Sequence, residues 1–497
     1  MPRYPTGRDT AALLRGHELA VPARPAPGPD PVPEKVNRHP RPRRGRPARG
    51  LGWTAVEAPL STMRTTTDQI GGTYPLLATP GMPPVGALIG ADVLSGGSFY
   101  CHPVEWVLRK ITTNPNIWVF GALGRGKSST IAALALRLMP FGIKTLIAGD
   151  KKGEYTPLVR ALGQEPIVLG YGQRTRINPL DLGPLAGRWA QLGDDEATDA
   201  LNDLVSRWST LLAGFAAAGG RTVTPTDTEV LAHVLRELTG VQAGNTALRP
   251  ITIPDVHRAL SDPDDRLWRI HRFRDRHDFL DATRLLTDSL GSLVNGPLKG
   301  LFDAPTNIDL DWDAPIQSLD ISALEARGDA ALAVAMTCLG SWSQAATDVR
   351  RRGEIRVVVR DEIWRQLRLG TGMVAAIEAE LKLSRTHQII SILAAHKPDD
   401  MLGVGDTDSQ AVNIAKGLLA LADTRVLLGQ DGKVADALAD EFHLSATEEN
   451  LLTGWCNRKP GNALWKVKRG GFQVAAARTH IEEHIFDTNA QLRPENF

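Results

Sequence analysis

The segment Gly121–Ser128, GALGRGKS, has the residue types and spacing of a phosphate-binding loop. It fits the pattern G-x-x-x-x-G-K-[ST] at every fixed position. Glycines let backbone N–H groups turn toward phosphates at a helix N-terminus, where Lys127 reaches the β- and γ-phosphates and Ser128 ligates Mg²⁺. A strand-like run precedes the loop and an apolar helical pattern follows it, as this function requires. We therefore predict that ATP and Mg²⁺ bind at Gly121, Gly124, Arg125, Gly126, Lys127, Ser128 and Ser129.

Two adjacent acids follow an apolar run in RVVVRDEIW. A P-loop ATPase needs a carboxylate at the end of a neighbouring strand to hold Mg²⁺, and we assign Asp361 to this role. A hydrolase also needs a base near the γ-phosphate, and Glu362 is placed to orient and deprotonate water. Arg360 stands where an apolar strand residue is expected, so an exposed strand end carrying two acids remains the alternative interpretation.

Three more polar features follow predicted strands, where ligands collect in open parallel sheets. Asp150 and Glu154 lie in AGDKKGEY, Asn178 lies in the turn RINPLD, and His396 ends the strand in SILAAHKPDD. We expect the two acids near the nucleotide and His396 as a sensor of the γ-phosphate. Taken singly, each feature is equally typical of a capped turn, and a lone histidine is commonly structural.

The chain reads as an α/β protein. From Asn114 near-continuous apolar strands alternate with helices, which predicts a mainly parallel sheet covered on both faces. Between 184 and 314 the pattern is helical with few strands, and strand–helix alternation then resumes. We predict a disordered Pro/Arg-rich basic tail (1–60), a short β-rich lead-in (61–113), an ATPase core in two parts (114–183 and 315–480) around an all-α insertion (184–314), and a C-terminal tail (481–497).

Charge is spread unevenly along the 497 residues. Residues 1–50 hold eleven Lys/Arg against four Asp/Glu, a net of +7, and the rest carries 46 minus 52, or −6. The same fifty residues contain eleven of the 33 prolines, a composition that cannot bury enough surface to order itself. The mildly acidic remainder argues against a body that grips nucleic acid over a broad basic face.

Cysteine spacing and hydropathy point to a cytoplasmic, soluble protein. Cys101, Cys338 and Cys456 are far apart and form no CxxC pair, so a disulfide framework or zinc site is not expected. The longest apolar run, Ala330–Trp342, is well short of the roughly 20 residues that span a bilayer. We expect no direct membrane span, and attachment at the inner face of the cell membrane only through partners.

Seven segments occur in one order: NPNIWVFGALGRGKSS, TLIAGDKKGEYTPLVRALG, RINPLD, GPLKGLFDAPTNIDLD, QSLDISAL, VVVRDEIW and SILAAHKPDDM. In this order they resemble the TraC/CagE-type ATPases of type IV secretion and conjugation, which belong to the HerA/FtsK-like group of P-loop motors. The resemblance covers about residues 65–475. It implies a RecA-like core, and it places Lys127 and Ser128 on the nucleotide and Asp361 and Glu362 as the metal and base pair.

The same resemblance implies further roles. Asp150 and Glu154 lie near the site, and His396 takes the sensor position, where the family usually has glutamine. Arg385 and Arg425 resemble arginines that face the nucleotide of a neighbouring subunit in a ring, expected to be a hexamer; a surface salt bridge is the alternative for each. Family members also carry a long N-terminal domain, and here only residues 51–113 lie between the tail and the core. Either that domain is missing or a separate protein supplies it.

The resulting expectation is an ATP-hydrolysing ring motor that powers conjugative DNA transfer or assembly of its channel. Its partners would be further copies of itself and the membrane-channel subunits of the apparatus, with DNA as an additional candidate. Two alternatives stay open: a DNA translocase of the FtsK or coupling-protein type, and a nucleotide-binding scaffold that hydrolyses little. A small-molecule kinase fits poorly, because the helical insertion is too large for a lid.

Overall fold

Eleven strands of the computed structural model form a single sheet within the part of the chain that it describes. The described residues are 81–170, 172–183, 185, 189–218, 223–240, 248–308, 311, 313–347, 354–367, 371–385, 388–402 and 410–486. From Met82 onward they belong to one compact unit. The predicted disordered tail and the end of the chain beyond 486 lie outside these residues.

The strand order explains where the loop lies. The strands are β1 (Ala87–Asp92), β2 (Ser98–Cys101), β3 (Ile117–Phe120), β4 (Lys144–Asp150), β5 (Ile167–Val168), β6 (Ile316–Asp320), β7 (Arg356–Arg360), β8 (Ile389–Ala395), β9 (Thr424–Leu428), β10 (Asn462–Val467) and β11 (Gly470–Ala476). Their order across the sheet is β2-β1-β11-β10-β9-β3-β8-β7-β4-β6-β5. From β9 to β5 every neighbouring pair is parallel, whereas β10, β11, β1 and β2 extend the sheet with antiparallel pairs.

Sixteen α-helices are found among the described residues. They are α1 (Pro103–Leu108), α2 (Lys127–Leu138), α3 (Thr156–Ala161), α4 (Asp194–Ala218), α5 (Pro225–Thr239), α6 (Ile253–Ser261), α7 (Asp265–Ile270), α8 (Arg276–Asn295), α9 (Asp329–Thr347), α10 (Trp364–Leu367), α11 (Thr371–Leu383), α12 (Asp399–Leu402), α13 (Gln410–Ala420), α14 (Gly432–Phe442), α15 (Ala446–Thr453) and α16 (His480–Ile485). None of these helices is long and apolar enough to cross a membrane.

Helices cover both faces of the sheet, as the apolar strands predict. On β3, Ile117 and Val119 belong to a core shared with Ile131 and Leu138 of α2. The alternate residues Trp118 and Phe120 belong to a second core on the opposite face. Residues two apart on a strand share a face, so this strand, apolar at all four positions, is buried on both sides.

Between 184 and 314 the described residues form helices α4 to α8, joined by turns and irregular segments. The apolar core of these helices includes Trp208, Leu235 and Phe279, and it continues into Leu319 of β6 and Leu339 of α9. Helix α4 packs on α8 within the segment and also on α11 of the α/β part, so the segment is anchored to the rest of the unit. The structure is therefore a RecA-like α/β core with an α-helical segment inserted between β5 and β6.

The end of the core differs from the sequence expectation. We placed a C-terminal tail from residue 481, whereas His480–Ile485 form α16 and Phe486 is buried against the core of β3 and α2. A capping box between Thr479 and Glu482 starts this helix. Glu482 is buried because it pairs with Arg137 of α2, a contact between residues 345 positions apart that no local pattern predicts.

Candidate active site

The loop between β3 and α2 has the backbone shape of a phosphate cradle. Gly124 and Gly126 have φ values of 74° and 89°, in the left-handed region that glycine adopts without strain. A Cβ at Gly126 would lie 3.0 Å from the amide nitrogen of Gly461, so a larger residue would also collide there. No described side chain caps the N-terminus of α2, which leaves its first N–H groups for an anion. These features fit a nucleotide phosphate.

Three side chains meet beside this loop. Lys127 Nζ lies 3.5 Å from Glu362 Oε1 and 3.1 Å from His396 Nδ1. His396 Nε2 lies 2.9 Å from the same Glu362 oxygen, and its Nδ1 lies 3.3 Å from the carbonyl oxygen of Gly121. The structure thus brings together a loop lysine, a strand-end acid and a strand-end histidine from positions up to 269 residues apart.

These contacts shift two pKa values in opposite directions. Burial by itself would raise the pKa of Glu362, but the hydrogen bond from His396 and the charge of Lys127 outweigh it and lower the pKa to about 2. The hydrogen bond to Glu362 raises the pKa of His396, against opposing contributions from burial and Lys127. Glu362 is therefore ionised at neutral pH, and its negative charge favours the protonated imidazole.

Glu362 is also strained. Its φ of 55° lies in the left-handed region, which is uncommon for a residue with a Cβ. Trp364 Nε1 donates a hydrogen bond of 2.5 Å to Glu362 Oε2, and the Glu362 amide donates one of 3.0 Å to Asp361 Oδ1. Trp364 was not among the residues predicted for the site, although the motif DEIW contains it. Its indole fixes the second carboxylate oxygen and so orients the side chain.

The donor set of the site suits a magnesium ion that bridges to phosphate. Asp361 follows β7, and Ser128 is the second residue of α2; both line the same pocket. No group of three or more His, Cys, Asp or Glu suited to a metal was found in the described part of the chain. Mg²⁺ fits nonetheless, because it typically takes one or two protein oxygens and completes its shell with water and phosphate.

Asp361 has a second partner that sequence reasoning missed. The hydroxyl of Tyr155 donates a hydrogen bond of 3.2 Å to Asp361 Oδ2. Burial raises the pKa of Asp361, and the charges of Glu362 and Glu154 add to this, while Lys127 and the Tyr155 hydrogen bond oppose it. A cation bound at Asp361 would favour the ionised carboxylate.

Asp150 supports the turn that carries Glu154 and Tyr155. Its carboxylate accepts the backbone N–H groups of Lys152, Glu154 and Tyr155 at 2.9 to 3.3 Å. Burial is the main reason why its pKa rises to about 7, and the nearby Asp320 adds to this, although the three hydrogen bonds oppose it. The arrangement gives Asp150 a structural role at the edge of the site.

The pocket brings most of the predicted residues together and adds new ones from the end of the chain. It is lined by Ala122, Leu123, Gly124, Gly126, Lys127, Ser128, Ser129, Asp150, Lys151, Lys152, Glu154, Asp361, Glu362, His396, Pro460, Arg478, Glu483 and Phe486. The side chain of Arg125, in contrast, donates to the carbonyl oxygen of Asn457 at 3.2 Å and is not part of the lining. Arg478, Glu483 and Phe486 were not predicted, because they depend on α16.

The two arginines implied by the family resemblance lie at the amino-terminal ends of the parallel strands, opposite the end of the sheet where the pocket lies. The exposed Arg385 precedes β8, and Arg425 is the second residue of β9, whereas the pocket follows the carboxyl end of β3. The Arg425 guanidinium stacks on Phe442 at 4.7 Å. Neither residue lines the pocket of its own chain. Asn178 is structural: its amide donates to the carbonyl oxygen of Ile251 at 2.7 Å, where the helical segment joins the core.

Comparison with known proteins gives a fold but no sequence family. No protein-family model matches the chain, and a search of curated proteins found no match. The structure of VirB4 of Thermoanaerobacter pseudethanolicus is similar over 82% of this chain and 100% of that chain, with a TM-score of 0.60 and 20% sequence identity. This protein has the VirB4 fold. The likeness agrees with the RecA-like P-loop core predicted from the sequence.

Structures of the plasmid coupling protein TrwB are also among the matches. The complex with ADP and Mg²⁺ has a TM-score of 0.44 and 15% identity, over 76% of this chain and 81% of that one. The complex with the ATP analogue ADPNP has a TM-score of 0.49 and 14% identity, over 81% and 97%.

Proposed function

We propose that this protein is a Mg²⁺-dependent ATPase that powers type IV secretion, by driving conjugative DNA transfer or by assembling the channel. The cluster of Lys127, Glu362 and His396 beside the phosphate loop carries the enzymatic part of the proposal. A scaffold that only binds nucleotide needs the loop but not a strained, oriented carboxylate next to it.

In the proposed reaction a water oxygen bonds to the γ-phosphorus of ATP as Glu362 accepts a proton from that water. The bond between this phosphorus and the β,γ-bridging oxygen breaks, giving ADP and phosphate. Mg²⁺, held by Ser128 and Asp361, would neutralise charge on the phosphate oxygens. His396 helps to hold the Glu362 carboxylate in place through the same oxygen that Lys127 approaches.

Nucleotide binding would itself adjust the base. Lys127 helps to keep the pKa of Glu362 at about 2, where a carboxylate is a weak base. The loop lysine of this motif binds the β- and γ-phosphates, so bound ATP competes with Glu362 for the ammonium group. As Lys127 turns to the phosphate, the pKa of Glu362 rises and its carboxylate becomes a better proton acceptor.

The experiment that tests the base is Glu362→Gln. An amide keeps the shape and the hydrogen bond from Trp364 but cannot accept the proton of water. We expect an affinity for ATP at least as high as that of the parent by calorimetry, because Glu362 no longer competes for Lys127, and hydrolysis slower by about 10²- to 10⁴-fold, the usual contribution of a general base.

Glu229→Gln, an exposed change on α5, is the matched control and should hydrolyse ATP normally. Parent-like turnover by Glu362→Gln would show that another group is the base. A parent protein that binds ATP tightly without turning it over would favour the scaffold alternative.

We propose a ring, expected to be a hexamer, as the working assembly, with the secretion-channel subunits as partners at the inner face of the cell membrane. This part is supported by the order of the seven sequence motifs and by the VirB4 fold. If the protein is instead a DNA translocase of the FtsK or coupling-protein type, double-stranded DNA should strongly stimulate its hydrolysis.

A further inference from the structure

A second cleft lies far along the sheet from the ATPase site. Its lining includes Arg174, Arg176 and Lys299, together with Gln173, Asn307 and glycines at 170, 172 and 300. We call this cleft the basic groove. It is formed by two of the motifs that the nucleotide site does not use, the segment leading into RINPLD and the segment GPLKGLFDAPTN.

Asn307 holds the two arginines in a defined arrangement. Its Oδ1 accepts the N–H of Arg176 at 2.7 Å, and its Nδ2 donates to the carbonyl oxygen of Arg174 at 2.6 Å. The N–H of Asn307 donates in turn to the carbonyl oxygen of Arg176, and the N–H of Ile177 donates to the carbonyl oxygen of Leu301. Arg174 and Arg176 are exposed, whereas Thr175 is half-buried and Ile177 is buried, an alternation typical of an extended segment in which residues two apart point to the same side. The arginines therefore form a short row.

The three cations are exposed and unneutralised. No ion pair joins Arg174, Arg176 or Lys299 to any residue in the described part of the chain, and no described residue of the lining is acidic. Asp303 accepts the Gly300 N–H at 3.0 Å with its Oδ2 and forms no ion pair with these three cations in the described part of the chain. Three cations without an ion pair, close together on a body of net charge −6, attract a polyanion to the groove.

Backbone geometry leaves room for a ligand to approach closely. Gly172 and Gly300 have φ values of 81° and 86°, and a Cβ added at either would meet no atom within 4 Å. The open space beside them allows a bulky group to lie against the main chain.

The basic groove and the phosphate loop both lie at the carboxyl-terminal end of the parallel strands. It follows the carboxyl end of β5, and the strands from β5 to β3 are all parallel. Five strand spacings separate the two strands, roughly 24 Å at about 4.8 Å per spacing. The groove is therefore a site separate from the nucleotide site of the same chain.

We propose that the basic groove binds the phosphate backbone of a single nucleic-acid strand. A row of exposed cations on an extended segment suits a row of phosphates, whereas one small anion would be held by side chains that converge. No aromatic side chain is found among the described lining residues, so bases are not expected to stack there. Binding should thus be independent of sequence and sensitive to salt. The proposal goes beyond the ATPase assignment and does not require it.

The test measures binding of fluorescein-labelled oligo(dT) by anisotropy, without nucleotide, to the full-length parent and to the triple variant Arg174→Gln, Arg176→Gln, Lys299→Gln. We expect the variant to bind about tenfold more weakly or worse at low salt. The slope of log affinity against log salt concentration should become less steep by about 2, because each of the three lost phosphate contacts contributes roughly 0.7 on a single strand. An oligonucleotide of mixed sequence should give the same result.

The matched control removes the same charge elsewhere through Arg284→Gln, Lys433→Gln and Arg469→Gln, three exposed cations outside the groove. It should bind within about twofold of the parent, because only the long-range field changes. Equal melting temperatures of the two variants would show that both fold. Each single groove variant should give an intermediate affinity.

Several results would overturn the proposal. A parent that does not bind the oligonucleotide, or a groove variant that binds it as well as the control variant does, excludes a nucleic-acid groove. If the groove variant binds normally but loses ATP turnover while the control keeps it, the cations serve the nucleotide of a neighbouring copy instead. Binding without any ATPase activity of the parent would leave the groove established and the proposed ATPase function wrong.

Discussion

Glu362 combines a left-handed backbone with side-chain contacts to Lys127, His396 and Trp364. Strain of this kind persists only where surrounding contacts enforce it, and it is commonly found at catalytic residues. The sequence predicted Glu362 as the base next to the metal ligand Asp361, but no sequence pattern predicts a positive φ at a glutamate. The strain arises because the chain leaves β7 and must turn at once into α10 while presenting the carboxylate to the loop.

Two substitutions at Glu362 should isolate the free-energy cost of its left-handed backbone. Glu362→Gly and Glu362→Ala both remove the carboxylate contacts, but only alanine keeps the left-handed penalty. We expect the glycine variant to be more stable than the alanine variant by about 1 kcal/mol, measured by urea denaturation. At Glu229, exposed within α5, the order should reverse, with alanine more stable by about 1 kcal/mol. The same order at both sites would mean that Glu362 is not strained in solution.

His396 should make stability depend on pH. Glu362 raises the pKa of His396 above 6.5 in the folded state. The stability that this ion pair gives is therefore fully present below the pKa of the histidine in the unfolded chain, and it is lost as pH rises through the higher pKa of the folded state. The lowered pKa of Glu362 adds stability that is fully present above pH 4.5 and is lost as the pH falls toward about 2. The melting temperature of the parent minus that of His396→Gln should therefore be largest between these limits, near pH 4.5 to 6.5, and smaller at pH 8. A difference that does not vary with pH would contradict the ion pair.

At the scale of elements, Arg137 links the helix of the phosphate loop to the end of the chain. Its guanidinium donates to both carboxylate oxygens of Glu482 at 2.6 Å and to the carbonyl oxygens of Leu88, Ile89 and Ala477. One side chain on α2 thereby joins β1 and α16. Burial by itself would raise the pKa of Glu482, but the hydrogen bonds from Arg137 outweigh it and lower the pKa.

Breaking this pair from one side should be costly. Arg137→Met leaves the buried carboxylate of Glu482 without its cation, so we expect a loss of about 3 to 5 kcal/mol in the free energy of unfolding. The double variant Arg137→Met, Glu482→Met should recover most of this loss, because no buried charge remains. Urea denaturation of the parent, both single variants and the double variant gives a double-mutant cycle, which measures the interaction between the two residues. Additive effects of the two changes would show that the residues do not interact.

Most elements of the core were predictable because each has its own periodicity or cap. The apolar run KTLIAGD forms β4, and the long helices α4, α5 and α8 lie where the sequence between 184 and 314 has a helical pattern. The helix α16 was missed because its burial depends on Arg137, far away in sequence. Arg360, which looked misplaced in a strand, is buried because Glu380 of α11 binds it at 2.8 Å.

At the scale of the whole molecule, the two arginines implied by the resemblance are not equivalent. Arg385 is exposed, whereas burial lowers the pKa of Arg425 and Phe442 lies beneath its guanidinium. The sequence could not separate them, because each lies near the start of a strand and neither position reveals its tertiary neighbours. Exposure leaves Arg385 as the residue that can reach a second copy.

A mixing experiment tests this distinction. Arg385→Ala should lose ATP hydrolysis while its own loop still binds ATP, and Arg425→Ala should chiefly lower the melting temperature. Mixing Arg385→Ala with Lys127→Ala should restore partial hydrolysis, since some interfaces then pair an intact loop with an intact arginine. The rescue should grow with protein concentration by mass action. Full hydrolysis by Arg385→Ala, or by a parent that stays monomeric, would exclude a shared site.

The strand order has a consequence for how the chain is made. β3 pairs with β8 and β9, which are translated roughly 270 to 300 residues later. At about 5 to 20 residues per second, the loop-bearing strand waits about 15 to 60 seconds on the ribosome with both hydrogen-bonding edges unpaired. The helical segment between β5 and β6 is contiguous, but its apolar core also includes Leu319 of β6 and Leu339 of α9, so its packing is complete only after these elements are translated. The nucleotide site therefore forms last, and a nascent chain that stalls before β9 exposes an apolar strand open to pairing with other chains.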